Sequence, residues 1–226
     1  MIVVHHLNDS RSQRILWLLE ELGQPYEIVR YQRDPHTLLA PASLRAVHPL
    51  GKSPVVVDGD EVLAESGAII ERLTDRYGNG RLAPPADSPG RGRYLYWLHY
   101  AEGSAMPPLL LRLVMDRIES AKMPFFVRPI AHGIVAKVRA GFVDPQLRLH
   151  MDYIDAELAR NEWFAGDRFS AADVQMSFPL EAAAARGVLA DRHVHARGWL
   201  VRIHARSAYQ RALARGGDYA YASALA

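Results

Sequence analysis

The chain has 226 residues, enough for one large domain or two smaller ones with a substantial hydrophobic core. Its formal net charge of +2 gives no electrostatic reason to expect nucleic acid or an anionic membrane as a partner. Its apolar runs are also far shorter than a membrane span. The sequence contains no cysteine, which excludes disulfides, thiolate metal sites and a protein thiol nucleophile. No leader-like segment opens the chain, so we expect a cytoplasmic protein.

The first 80 residues alternate between strand and helix periodicity. Short apolar runs and period-two alternation predict strands, and apolar residues at spacings of three and four predict helices. The predicted order is a strand at 1–4, a helix at 15–22 that stops at Gly23, a strand at 26–31, a hairpin at 54–64 around Asp58-Gly59, and a helix from Glu65. This order predicts an α/β domain with a small mixed sheet.

Helical periodicity dominates the rest of the chain. The Gly- and Pro-rich stretch GNGRLAPPADSPGRG at 78–92 favours a linker, which we place at 81–92. Beyond it the pattern predicts an all-helical domain at 93–226. Its predicted helices cover Tyr94–Ile118, Pro129–Ala140, Gln146–Arg160, Ala171–Arg186 and Trp199–Ala214.

In the motif HPLGKSPVV (48–56), Pro54 lies at the start of a predicted strand. One interpretation is an edge strand, since proline has no N–H to donate to a sheet. The alternative is a cis Ser53–Pro54 bond that turns the backbone of Ser53 outward. Its N–H and C=O could then pair with an extended peptide ligand.

In the motif AESGAIIERL (64–73), Glu65 and Ser66 lie between a strand and a helix. They could simply cap the helix. The same free N–H groups and hydroxyl could instead bind a carboxylate, while Glu65 holds an adjacent ammonium group. In FSAADVQMS (169–177), Ser170 and Asp173 have the spacing of a capping box, and we expect a purely structural role.

Metal binding is not predicted. His193, His195 and His204 have no cluster of carboxylates beside them in the sequence, and we interpret them as surface or core histidines.

Four motifs occur in this order: LNDSRSQRILWLLEELGQPYE, HPLGKSPVV, LAESGAIIERL and FSAADVQMS. Together they resemble the glutathione transferase superfamily, and within it the bacterial and fungal group similar to the yeast Gtt-type enzymes. The resemblance covers nearly the whole chain. It implies a thioredoxin-like domain that binds glutathione as co-substrate, an all-α domain that forms a pocket for a hydrophobic electrophile, and assembly as a homodimer.

The resemblance also implies roles for individual residues. Ser53, before Pro54, would pair with the cysteinyl backbone of glutathione. Glu65 and Ser66 would hold its γ-glutamyl end, and Lys52 matches a position that often contacts the tripeptide.

Two further implications concern less specific stretches of the chain. His36 lies in a segment where many relatives bind the glycyl carboxylate. Tyr100, Met106 and Leu110 would line the pocket of the hydrophobic co-substrate.

Without a cysteine, the protein must activate the thiol of glutathione by hydrogen bonding. A free thiol with a pKa of about 8.5 is only a few per cent thiolate at pH 7. A hydroxyl donor and a helix N-terminus can lower that pKa by about one to two units. No tyrosine lies in the first turn of the first helix, which excludes the tyrosine-type mechanism of the family.

The serine-type position of the family aligns with Asp9 or Ser10. An ionised aspartate only accepts hydrogen bonds and would repel a thiolate, so the chemistry favours Ser10. Asn8 is a rival, because its amide can donate to sulfur. Ser12 is expected one turn into the helix. Arg11 and Arg14 lie in the same motif. They could contact the acidic groups of a ligand or of a partner subunit, or they could lie in solvent.

The leading hypothesis is therefore a glutathione transferase that conjugates the glutathione thiolate to hydrophobic electrophiles. Glutathione-dependent reduction of peroxides needs the same activated thiolate and is a related possibility. The alternative is a non-catalytic glutathione- or ligand-binding homologue with a regulatory or structural role.

Overall fold

A computed structural model describes residues 1–37 and 39–222, and the N-terminal part of the chain folds around a mixed sheet. The elements in chain order are β1 (Ile2–Leu7), α1 (Ser12–Leu22), β2 (Tyr26–Tyr31), a 3₁₀ helix (Ala42–Ala46), β3 (Val55–Asp58), β4 (Glu61–Ala64) and α2 (Ser66–Tyr77). The strand order is β2-β1-β3-β4. Strand β1 is parallel to β2 and antiparallel to β3, and β3 forms a hairpin with β4. The predicted α/β domain is confirmed.

Helix α1 lies at the centre of the molecule. Its residues Ile15 to Leu19 are fully buried, so the helix is apolar on nearly every side. The helix ends at Gly23, which has a φ of 69° and donates its N–H to the carbonyl of Glu20. The left-handed conformation needed at this position explains why a glycine stops the helix there.

The second part of the chain is all-helical, as predicted. In chain order it contains α3 (Gly90–Tyr100), a π-helical segment (Ala101–Ala105), α4 (Met106–Ser120), α5 (Arg128–Val138), a second π-helical segment (Arg139–Val143), α6 (Asp144–Leu158), α7 (Ala171–Ala185), α8 (Val194–His204) and α9 (Ser207–Gly216). Helix α3 begins inside the segment predicted as linker. Residues 223–226, the end of the predicted domain, lie outside the described residues.

The helix predicted at 199–214 is wrong in extent, because two helices share this region. Helix α8 ends before Arg206, whose backbone is extended and whose guanidinium pairs with Glu21 of α1. Gln210 donates to the carbonyl of His204 and so satisfies one acceptor at the end of α8. Neither glycine nor proline lies at this break, so the apolar periodicity predicts one continuous helix instead of two.

The two domains share one hydrophobic core. Helix α9 packs against α1, where the ring of Tyr209 meets that of Trp17 edge to face at 5.2 Å. Arg211 and Arg215 of α9 both pair with Glu20. These contacts fix the helical domain on the α1 side of the sheet. Across the residues that the structure describes, no helix combines the length and the hydrophobicity that spanning a membrane requires.

The predicted capping box is present at the start of α7. The N–H and the hydroxyl of Ser170 donate to the Asp173 carboxylate at 2.9 and 3.1 Å. Phe164 and Trp199 add two more donors to the same fully buried group. Burial raises the pKa of Asp173 to about 6, and the four donors oppose that rise. Asp173 thus connects the start of α7 to the preceding loop and to α8.

Replacing Ser170 with alanine should lower the free energy of unfolding by ~1 kcal/mol, a typical cost of losing a helix cap. Urea denaturation at fixed protein concentration measures this change, with Ser207→Ala as a control at an exposed position of α9. Calorimetry should find glutathione binding unchanged in the folded variant. A specific loss of binding would give Ser170 a functional role and contradict the structural interpretation.

Candidate active site

Two adjoining cavities lie where the end of β1 meets the helical domain. The large cavity has a volume of about 580 Å³ and the small one about 250 Å³. Both are lined by Arg11, Leu50, Lys52 and Ser53. The large cavity is further lined by Leu7, Asp9, Ser10, Arg33, Leu39, Ala40, Arg45, Gly51, Met106, Leu110, Leu113, Arg117, Phe178, Arg186 and Tyr221. The small cavity is further lined by His48, Pro54, Ala64, Glu65, Ser66 and Glu102.

The loop between β1 and α1 brings Ser10, but not Asn8, to the wall of the large cavity. The side-chain oxygen of Asn8 accepts a hydrogen bond from the backbone N–H of Arg33 at 2.9 Å. Its amide nitrogen donates to the carboxylate of Asp9 at 3.4 Å. Asp9 in turn accepts the N–H of Ala220 at 2.8 Å, which ties the loop to the end of the chain.

A chain of hydrogen bonds holds the hydroxyl of Ser10 in place. The Oγ atoms of Ser10 and Ser12 are 2.7 Å apart, and Ser10 Oγ also accepts the backbone N–H of Ser12 at 3.2 Å. Ser12 Oγ lies 2.9 Å from Nδ1 of His6 and accepts the N–H of Leu7 at 3.2 Å. Ser12 is the first residue of α1 rather than one turn into it, so that expectation is wrong. Its position at the helix start allows it to reach both Ser10 and the strand.

His6 is a buried neutral histidine at the far end of this chain. Burial lowers the pKa of His6 to about 4, and the charge of Arg30 acts in the same direction. A hydrogen bond to the backbone of Gly216 and the charge of Asp9 oppose this shift. The ring is therefore uncharged at pH 7, with its two nitrogens facing Ser12 and Gly216.

Of the residues predicted to bind a tripeptide, all but His36 line one or both of the cavities. The Ser53–Pro54 bond is cis, and the hydroxyl of Ser53 donates to the carbonyl of His5 at 3.1 Å. Lys52 is exposed and lines both cavities. Glu65 and Ser66 line the small cavity at the N-terminus of α2. Glu65 has a φ of 66°, a strained conformation for a residue other than glycine.

A buried ion-pair cluster behind the small cavity was not predicted. Arg14 is fully buried and donates to Glu102, to Oγ of Ser66 at 2.6 Å and to the carbonyl of Gln175. Arg11 donates to both oxygens of Glu102 at 3.0 Å. Burial tends to raise the pKa of Glu102, but Arg14 and Arg11 outweigh that effect and hold it below its usual value. Glu102 lies in the first π-helical segment, a type of helical irregularity that is frequent at functional sites.

Other predicted residues fall in different places. Met106 and Leu110, two of the residues predicted to line a co-substrate pocket, line the large cavity. Tyr100 lines neither cavity and instead is buried with its hydroxyl against Nδ1 of His150. His36 lies in an exposed turn, where its N–H donates to Asp34, and it too lines neither cavity.

His193, His195 and His204 do not share a common partner among the described residues. His193 pairs with Asp152 and His204 with Glu181, at separate places in the helical domain. Across residues 1–37 and 39–222 no group of three or more His, Cys, Asp or Glu is arranged to hold a metal ion.

Comparison with known proteins assigns a family to this architecture. A family model described as the glutathione S-transferase N-terminal domain matches residues 4–84, and one described as the glutathione S-transferase C-terminal domain matches residues 114–207. Glutathione S-transferase 1 of Saccharomyces cerevisiae is 32% identical over 97% of this chain and 98% of its own length. Glutathione S-transferase 3 of Schizosaccharomyces pombe is 43% identical over 81% of this chain and 74% of its own.

A solved structure shows the same fold and a comparable sequence likeness. The crystal structure of a glutathione S-transferase from Actinobacillus pleuropneumoniae aligns with a TM-score of 0.82 and 32% identity, covering 99% of this chain and 96% of that one. With both of its domains matched and relatives above 30% identity over nearly its full length, the chain belongs to the glutathione S-transferase family.

Proposed function

We propose that this protein binds glutathione across the two cavities and adds its thiolate to a hydrophobic electrophile in the large one. The observation that carries the proposal is the position of the Ser10 hydroxyl. Ser10 lines the large cavity together with the apolar residues Met106 and Leu110, and hydrogen bonds hold its hydroxyl in place. A hydroxyl in such a place can donate to the sulfur of a bound thiol and favour its ionised form.

The small cavity suits the γ-glutamyl end of glutathione. The free N–H groups at the N-terminus of α2 and the Ser66 hydroxyl can donate hydrogen bonds to its carboxylate there. Glu65 supplies a negative charge for its ammonium group. Ser53 lines both cavities, so a peptide bound to its backbone would pass from the small cavity into the large one.

Lys52 is the residue best suited to pair with the glycyl carboxylate, and Arg45 also lines the large cavity. Both are cations of the sheet domain and both are exposed enough to reach a ligand. His36, the position suggested by the resemblance, would first need its turn at Asp34 to rearrange.

The hydrogen-bond chain also favours Ser10 over Asn8 as the activating donor. A neutral His6 that donates one N–H toward Gly216 has Nδ1 free to accept the proton of Ser12. The proton of Ser12 is then committed to His6, so without a ligand Ser10 is the donor in the 2.7 Å contact between the two hydroxyls. A bound thiol would replace Ser12 as the acceptor of the Ser10 proton, while Ser10 Oγ still accepts the backbone N–H of Ser12. Asn8, by contrast, already donates to Asp9 and lies away from both cavities.

Assembly as a homodimer is part of the proposal, and an exposed apolar surface supports it. Helix α5 and the residues before it carry a stripe of solvent-exposed apolar side chains, which we call the α5 stripe: Phe125, Phe126, Ile130, Ile134 and Val138. Ile130 and Ile134 are 65% and 60% exposed, although a monomer gains stability by burying such groups. A second copy of the chain would cover them.

A cytoplasmic location is also part of the proposal, because it would place the enzyme in the main glutathione pool.

The central experiment measures glutathione-dependent turnover of chlorodinitrobenzene by the Ser10→Ala variant. We expect the pKa of bound glutathione to rise by about one unit and kcat/KM at pH 7 to fall about tenfold. The pH dependence of thiolate absorbance and of kcat/KM measures the two effects, with Asn8→Ala as the matched control. Full activity of Ser10→Ala beside a large loss in Asn8→Ala would identify Asn8 as the donor.

The same assay distinguishes the competing functions. Turnover of cumene hydroperoxide alongside the aryl chloride would add peroxide reduction to conjugation. Tight glutathione binding without turnover of either compound would favour the non-catalytic alternative.

The neutral state of His6 predicts a specific pH dependence of stability. Its folded pKa is below the unfolded value, so its contribution is fully present above about pH 6.5 and is lost as the pH falls toward 4. Between pH 7 and pH 4 the free energy of unfolding should fall by about 3 kcal/mol more in the native protein than in His6→Asn. Denaturant titrations at matched protein concentration measure the difference, and parallel pH profiles would show that His6 is not held neutral.

Charges placed on the α5 stripe should dissociate the dimer. We expect the native protein to have twice the mass of one chain by light scattering, and Ile130→Asp combined with Ile134→Asp to give a folded monomer at micromolar concentration. Val201→Asp, at a similarly exposed valine of α8, is the control and should stay dimeric. A monomeric native protein, or an unaffected double variant, would exclude this interface.

A further inference from the structure

The large cavity combines an apolar wall with an unusual number of positive charges. Its apolar wall includes Met106, Leu110 and Phe178. Six cations also line it: Arg11, Arg33, Arg45, Lys52, Arg117 and Arg186. Among its described lining residues a single carboxylate, that of Asp9, offsets them, and this group already accepts the N–H of Ala220. A pocket for purely apolar molecules has no need of such a charge.

Glutathione accounts for only part of this charge. Arg11 pairs with Glu102, a carboxylate that it shares with Arg14. Lys52 and Arg45 belong to the sheet domain and, under the proposed function, face the glycyl carboxylate. Arg117 and Arg186 belong to the helical domain, in α4 and at the end of α7, which also supplies the apolar residues Met106, Leu110 and Phe178 of the cavity.

These two arginines lack acidic partners within the described parts of the chain, 1–37 and 39–222. Arg117 is exposed in the wall of the cavity and makes no ion pair there. Arg186 reaches the hydroxyl of Tyr221 at 3.4 Å and lies over its ring at 5.8 Å. A phenol oxygen offers no formal charge, so both guanidinium groups keep their full charge toward the cavity.

The cations also act on one another. Burial lowers the pKa of Arg33, and the charges of Arg11 and Arg117 act in the same direction. The negative charge of Asp9 opposes this shift. Like charges gathered in one cavity produce a positive potential that an entering anion would relieve.

We infer that the co-substrate is an anionic electrophile: an apolar, typically aromatic body that carries a carboxylate, with Arg117 and Arg186 binding that carboxylate. This inference rests on the proposed function and narrows it. The apolar wall takes the body of the molecule, and the planar fork of each guanidinium suits a carboxylate. The two arginines are specificity residues in this scheme, since they contact the substrate at a distance from the reacting atoms.

With an aryl chloride of this class the chemistry is a nucleophilic aromatic substitution. The glutathione sulfur forms a bond to the ring carbon, the carbon–chlorine bond breaks, and chloride leaves with the electron pair. The thiol proton passes to solvent. No oxidant or reductant is needed, and the carboxylate is unchanged by the reaction.

The test compares chlorodinitrobenzoate with its methyl ester, which differ in charge at one position. The rate enhancement, kcat/KM divided by the uncatalysed rate constant with glutathione, corrects for the different reactivity of the two compounds. We expect the enhancement for the acid to exceed that for the ester by about tenfold. In Arg117→Gln combined with Arg186→Gln this ratio should fall to about one, and the corresponding double lysine variant should restore part of it.

Arg160→Gln, at an exposed position outside both cavities, is the matched control and should keep the native ratio. Equal enhancement of acid and ester by the native enzyme, or a double glutamine variant that keeps the native ratio, would overturn the inference.

Calorimetry with the two pre-formed glutathione conjugates separates this inference from the proposed function. Tighter binding of the acid conjugate, lost in the double glutamine variant, would support anion recognition even if neither compound is turned over. Turnover of the ester with no preference for the acid or its conjugate would leave the proposed function standing and reject the anionic co-substrate.

Discussion

The buried charge of Arg14 constrains the geometry of the whole site. A guanidinium without solvent is strongly destabilising unless ion pairs and hydrogen bonds compensate it. Arg14 of α1 finds these partners in Glu102, Ser66 and the carbonyl of Gln175. The three partners come from the first π-helical segment, from α2 and from α7, so one side chain connects the sheet domain to the helical domain. Any shift of these elements relative to α1 would leave a buried charge without a partner.

This constraint acts on the glutathione site directly. Ser66 is both an acceptor for Arg14 and the residue proposed to hold the γ-glutamyl carboxylate. Glu102 pairs with Arg14 and lines the small cavity. Because the oxygen of Ser66 accepts from Arg14, its own proton is free to donate to a ligand carboxylate. The cluster therefore orients the binding hydroxyl and fixes the boundary of the small cavity with the same set of contacts.

Local sequence signals were sufficient for much of the fold and for part of the site. The stop at Gly23, the capping box at Ser170 and the Asp58-Gly59 hairpin each depend on backbone preferences of a few neighbouring residues. The pairing of Arg14 with Glu102 joins residues 88 positions apart, and nothing within either segment specifies it. The predicted start of α1 is wrong for a related reason: Ser12, its first residue, has its hydroxyl in contact with His6 and Leu7 of β1, and apolar periodicity does not reveal such contacts.

Tyr100 was predicted to line the co-substrate pocket but does not, because a local irregularity interrupts the helix after it. The periodic pattern predicts an unbroken α-helix through this region, and residues 90–106 contain no proline that would indicate an interruption. The π-helical turn at Ala101–Ala105 adds a residue and changes the phase of the helix. Tyr100 consequently faces His150 in the core, whereas Met106 and Leu110 face the large cavity. The same π-helical turn contains Glu102, which pairs with Arg14. One irregularity therefore determines both which side chains line the large cavity and how the ion-pair cluster is completed.

The positive charge of the large cavity has a further consequence for the reaction. A hydroxyl such as that of Ser10 stabilises a thiolate through one directed hydrogen bond, whereas surrounding cations stabilise it through the potential at the sulfur. The two effects differ in range, because the potential also acts on any second anion that enters. A thiolate and a carboxylate-bearing electrophile repel each other as they approach, and this repulsion raises the barrier in water. Under the inference above, Arg117 and Arg186 of the cavity lining would offset it, because they would lie closer to the electrophile's charge than the sulfur does. The charge distribution that activates the thiol can thus also select the molecule that it attacks.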